Sequence, residues 1–201
     1  MSNEYGSLFY IYALGCITII STSIVSYYIV NLRNLKYSKN FEYYILLFAI
    51  FFYILSVLIL SFKKIDSLNY YADHATHLEI LWRYNNGLGL TSLLSESFFS
   101  NSHWFSAHFT PIVFITYAPV FYLFPYSETL FVMETLFLTS SLIPLYLICN
   151  KYFDHRESLL FISSFLFYPT IFYMNLYGPA YIELTIPFML WLFYFYEQKK
   201  F

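Results

Sequence analysis

Charge is what this sequence has least of. Only 11% of its 201 residues are Asp, Glu, Lys or Arg, where soluble domains carry about a quarter. With 59% hydrophobic and 25% aromatic residues, a water-facing fold cannot cover the apolar surface, so lipid must cover part of it. No basic block, Arg-rich helix or RNA-binding pattern occurs, so no nucleic-acid partner is expected. GxGxxG, Walker A, GxSxG and HExxH sequences are all missing, and with them the expectation of a Rossmann-type donor site. The two cysteines, Cys16 and Cys149, lack CxxC spacing and read as small core residues. The acidic N-terminus "MSNEYG" precedes an apolar run far longer than a signal-peptide core, which reads as a retained first span.

What is there is long apolar runs. A spanning helix needs about 20 apolar residues, and the runs 8–32, 43–62, 129–149, 158–174 and 180–196 qualify. A further run, 111–124, is too short to span and contains Pro119, which suits an interfacial or re-entrant helix. The expected fold is all-α: a polytopic helical membrane protein of about five transmembrane helices with a long external loop carrying amphipathic and juxtamembrane helices. With an external N-terminus, three basic clusters fall inside, namely Arg33, Lys36 and Lys39, then Lys151 and Arg156, then Lys199 and Lys200. Lys63 and Lys64 alone sit on the wrong side.

This topology leaves loop 66–128 on the outer face, with Asp73, His74, His77, Glu79, Arg83, Glu96, His103 and His108. Glu134 and Glu183 lie near the outer ends of their spans, and ionisable groups inside spans mark cavities and functional sites by default. The segment from Asp73 to about Tyr84 reads as an amphipathic helix stopped by "NNGLG". Its expected apolar face is Ala75, Leu78, Leu81 and Trp82, and its polar face Thr76, Glu79 and Arg83. Asp73 and His77 are i,i+4 neighbours, so the carboxylate can orient the imidazole or share a divalent metal with it. Asp73 also stands where an N-cap belongs, and the two roles are compatible. Glu134 reads equally as a carboxylate snorkelling to the headgroups or paired with a donor such as Arg83. His108 precedes Thr110 and Pro111, a cap and first-turn pair, and suits the membrane interface as well as a ligand role. The loop histidines and acids do not have the tight spacing of a structural zinc site.

The stretches "ADHATHLEILW", "AHFTPIVFITYAPVFYLFP", "SLIPLYLICNKYF" and "IPFMLWLFYFYEQKK" occur in that order. Together they resemble the predicted membrane proteins grouped as domain of unknown function 2079, which look like relatives of the GT-C class of polytopic glycosyltransferases. The resemblance covers roughly residues 66 to 200. It divides the chain into an extra span with its basic cytoplasmic loop, 1–40, and a GT-C-like membrane module, 41–201. It implies sugar transfer from a polyprenyl-phosphate donor to an acceptor on the outer face of the cell membrane. Asp73 matches the class's catalytic acid, as general base or as ligand to Mg or Mn together with His77. His108 joins the same pocket, and His77, Trp82, Glu134 and Glu183 are the implied substrate-binding residues. Where the family shows His-Pro-Glu before the last span, this chain reads "YGPAYIE". GT-C members normally have many more spans, so a second membrane subunit completing the fold is an expected partner. A non-catalytic membrane scaffold or assembly subunit, or a truncated fragment of a larger transferase, is the alternative. A small transporter, with Glu134 and Glu183 in its path, is a third reading, and the lack of an inverted repeat weighs against it.

Overall fold

The computed structural model describes residues 39–66, 72–91, 111–178 and 184–198, and their regular structure is helical. In chain order the helices are α1 Lys39–Asp66, α2 Ala72–Asn85, α3 Pro111–Leu123, α4 Ser127–Ser140, α5 Leu142–Tyr152, α6 His155–Leu166, α7 Pro169–Tyr177 and α8 Thr185–Glu197. The expected span 8–32 lies outside the described residues.

α1 contains neither Pro nor Gly over its 28 residues, so nothing interrupts its hydrogen-bond ladder. Its outer side exposes Tyr44, Leu47, Phe48, Phe51, Phe52, Leu55 and Ile59. That stripe recurs every three to four residues and carries no charge, as a helix facing hydrocarbon requires. The opposite side, Tyr53, Val57 and Ser61, is buried against α4, α6 and α7. Leu46–Asp66 is long and apolar enough to cross a membrane, and so is Ser127–Tyr152, which joins α4 and α5 through Ser141. Pro144 sits in the first turn of α5, where its missing N–H costs least.

The expected span 158–174 proves to be two helices. α6 starts earlier, on a capping box in which the Glu157 N–H donates to Asp154 at 2.9 Å and the Asp154 N–H donates to Glu157 at 3.3 Å. It then stops before Pro169, and α7 leaves at a bend of 42°. Pro169 opens α7 as its first residue rather than kinking a continuous helix, because a residue ahead of proline avoids the helical region. α8 is an apolar helix of 13 residues, packed on α5 and α4.

α2 and α3 form a layer against the start of α4. Ile80 and Leu81 of α2 meet Val113, Phe114, Tyr117, Ala118 and Phe121 of α3, with Leu130 and Leu184 completing the cluster. α3 exposes Ile115, Tyr122 and Leu123 on its other side, in keeping with the interfacial helix that its length predicted. The inward face of α2 differs from the expected one. Leu81 is fully buried, as are Ile80, His74 and His77, whereas Trp82 is 51% exposed. The helix is turned so that the histidines face inward. A helical wheel alone places Trp82 beside Leu81, but a tryptophan at a membrane surface has no need of a protein core.

This phase is testable. Leu81→Ala removes a fully buried side chain and is expected to cost about 2–5 kcal/mol. Trp82→Ala should cost under about 1 kcal/mol. Thermal unfolding of both variants in lipid nanodiscs measures the difference, and equal losses would place Trp82 in the core.

Candidate functional site

Four helices bring polar groups into an interior that is otherwise apolar. α1 contributes Tyr53, Ser61 and Lys64 on its inner side, spaced so that they share one face. α4 contributes Ser127, Glu134 and Thr135, and α7 contributes Asn175 and the carbonyl of Leu176. α2 lays His74 and His77 over the end of this strip.

At the deep end, the Thr135 hydroxyl donates to the Asn175 side-chain oxygen at 3.1 Å, and the Asn175 amide donates to the Tyr53 hydroxyl at 3.3 Å. All three residues are buried. At the middle sits Glu134, only 1% exposed. Lys64 lies within electrostatic reach of its carboxylate and donates to the Leu176 carbonyl at 2.6 Å. At the loop end, His74 Nε2 and the Ser127 hydroxyl are 2.7 Å apart. The His74 ring also stacks on Phe131, with centroids 4.8 Å apart. Burial, and secondarily the Lys64 cation, push the His74 pKa down to about 4. His74 is therefore neutral at physiological pH, and one of its ring nitrogens remains an acceptor.

The structure sorts the residues singled out by sequence. Glu134 and His77 are buried at this site. Asp73 lies in the first turn of α2, inside the helix rather than ahead of it, one residue before His74. Its side chain lies outside the described residues, as do His108 and Glu183 altogether. Trp82 points away from the strip. Arg83 lies 3.8 Å from Glu79 and 2.9 Å from Thr91, and among the described residues Lys64 is a cation within electrostatic reach of Glu134. A Mg or Mn ion held by Asp73 and His77 needs further ligands. Among the described residues no three His, Cys, Asp or Glu side chains gather as a metal site. Lys64 already supplies positive charge beside Glu134 and His74, which opposes a divalent ion there.

Sequence reasoning missed Lys64, Tyr53, Asn175 and Ser127. Lys64 had one signal, its place on the wrong side of the charge distribution. A half-buried lysine whose ammonium bonds a carbonyl within the bundle is not a loop charge, and it drops out of that count.

Residues 64–201 match the family described as "Predicted membrane protein (DUF2079)". No curated protein and no solved structure matches the chain.

The neutral histidine sets a pH dependence. His74 titrates at about 4 when folded against 6.5 for the model imidazole. The unfolded state therefore binds the proton more readily between these values, and folding stability falls as pH drops from about 6.5 toward about 4. Unfolding temperature measured from pH 7.5 to 5 should decline in the native chain and decline less in His74→Gln. Parallel slopes in the two proteins would remove His74 as the cause.

Proposed function

Because the chain belongs to the predicted membrane protein family DUF2079, we propose that it is a membrane glycosyltransferase of the GT-C kind. In this reading it sits in the cell membrane with loop 66–128 on the outer face, and it moves a sugar from a polyprenyl-phosphate donor to an acceptor hydroxyl. The observation that carries the reading is the cluster of buried Glu134, His74 and His77 with half-buried Lys64 nearby, next to the first turn of α2, in which Asp73 lies. Ionisable groups that deep in a lipid-facing bundle are costly unless a ligand or a reaction uses them.

The chemistry is a single displacement. The acceptor oxygen forms a bond to the anomeric carbon while the bond from that carbon to the phosphate oxygen breaks. The acceptor proton passes to the Asp73 carboxylate, acting as general base, and the polyprenyl phosphate leaves with the bonding pair. In this proposal His77, buried with His74 on the inner face of α2, binds substrate, as does Glu134. His108 and Glu183 belong to the same pocket in this proposal, and no step passes through a metal ion. A second membrane subunit that completes the pocket would co-purify with the chain.

Transfer of radiolabelled sugar from a polyprenyl-phosphate donor in membranes containing the protein tests this. Asp73→Asn should reduce turnover by about 100-fold or more, as loss of a general base does, with the amount of folded protein unchanged. Full activity in that variant, with activity lost only when packing residues such as Leu81 change, is the behaviour of a scaffold. Chelation by EDTA should leave transfer intact if Lys64 rather than a metal provides the charge.

A further inference from the structure

α6 and α7 are one apolar stretch broken in the middle, and little in the backbone fixes the angle between them. The Phe167 N–H donates to the Ser163 carbonyl at 3.0 Å and the Tyr168 N–H to the Phe165 carbonyl at 3.2 Å, which closes α6. Pro169 has no N–H to continue the ladder, and Tyr168 before it is extended, with φ −63° and ψ 123°. A helix of 9 residues is too short to be stable alone, so α7 takes its place from side-chain contacts.

The buried residues of α7 are Ile171, Phe172 and Asn175. Phe172 packs edge-on against Tyr53 with ring centroids 5.8 Å apart, but apolar contact is non-directional. The amide is directional. Asn175 accepts from the Thr135 hydroxyl of α4 at 3.1 Å and donates to the Tyr53 hydroxyl of α1 at 3.3 Å. All three residues are buried where no water competes for these bonds. One side chain of α7 therefore grips two other helices, beyond a weak junction.

We propose that α7 is a hinged segment latched by Asn175: the bonds to Thr135 and Tyr53 hold it at its 42° bend from α6, and without them it swings about Tyr168 and Pro169. The same swing carries the Leu176 carbonyl away from Lys64, so the latch holds one wall of the polar interior in place. This applies whether or not the protein transfers a sugar.

Double electron–electron resonance on the whole chain in nanodiscs reads the angle. Cys16→Ser and Cys149→Ala remove both native thiols. Nitroxides then go on Phe48→Cys and Tyr173→Cys, exposed positions of α1 and α7, with Phe48→Cys and Phe161→Cys of α6 as a reference pair. Each pair should give one narrow distance in the otherwise native chain. Asn175→Leu, similar in volume but without the amide, should broaden the α1–α7 distance or shift it by about 3 Å or more. That is within reach of a 42° swing acting from Tyr168 to Tyr173. The α1–α6 distance should stay within about 1 Å. The double variant Thr135→Val, Tyr53→Phe removes both partners while keeping their shapes, and strands the amide. It should release α7 in the same way, and it carries the test if Asn175→Leu does not fold. An unmoved α1–α7 distance in either variant means that apolar packing sets the bend, and overturns the latch. Equal broadening of both pairs also overturns it, because the network is then a clamp on the whole bundle. Failure of both variants to fold does the same.

Discussion

A charge cannot stay unpaired where lipid and apolar side chains exclude water, and the arrangement of this bundle follows from that constraint at Lys64 and Glu134. α1 and α4 must pack closely enough for ammonium and carboxylate to interact. The ammonium has further hydrogen-bonding capacity, and the Leu176 carbonyl at 2.6 Å takes some of it. That contact requires α7 to end where it does. A straight continuation of α6 would not end there, and the 42° bend ahead of α7 redirects the chain. The broken span and the lysine that caps its second half are thus one feature seen from two sides.

The same constraint explains the chemistry of His74. Burial makes a charged ring unfavourable, and the Lys64 cation adds to the penalty, so the imidazole stays neutral. A neutral ring can stack on Phe131 and share a hydrogen bond with Ser127 without bringing net charge into the layer. α2 can therefore lay its histidine face on the bundle while its Glu79–Arg83 pair stays half-exposed. The α2–α3 layer gains its cohesion from Leu81, Ile80 and the α3 residues beneath them.

How much of this was legible in sequence follows from the range of each cause. Two expected spans, 43–62 and 129–149, match Leu46–Asp66 and Ser127–Tyr152, because length and apolarity are local properties that lipid reads directly. The bend near Pro169 was only half legible. Proline marks the place, but whether a helix kinks or restarts depends on what receives the second half. Glu134 read equally as snorkelling to the headgroups or paired with a donor such as Arg83, and the structure buries it with Lys64 in electrostatic reach. Lys64 lies in the last turn of the preceding span, where a lysine ordinarily reads as a headgroup contact. Its role depends on a carbonyl 112 residues further along the chain, and no local pattern carries that information. The inward phase of α2 was missed for a related reason. Hydrophobicity ranks Trp82 above His74 for burial, yet polar partners in α4 reward the histidine, and the membrane surface accommodates the tryptophan.

A half-buried lysine near a buried carboxylate also bears on whether this bundle is a site or only a scaffold. Helices that need merely to hold together in lipid do so by close apolar packing, as α1 does with Tyr53, Val57 and the residues around them. Substituting a buried ion pair by apolar residues of similar volume is commonly neutral or stabilising by about 1–4 kcal/mol. The pair therefore adds little to cohesion that leucines could not supply. What Lys64 does supply is a hydrogen bond from the last turn of α1 to the Leu176 carbonyl in the last turn of α7, beside a polar interior that includes Glu134, His74 and His77.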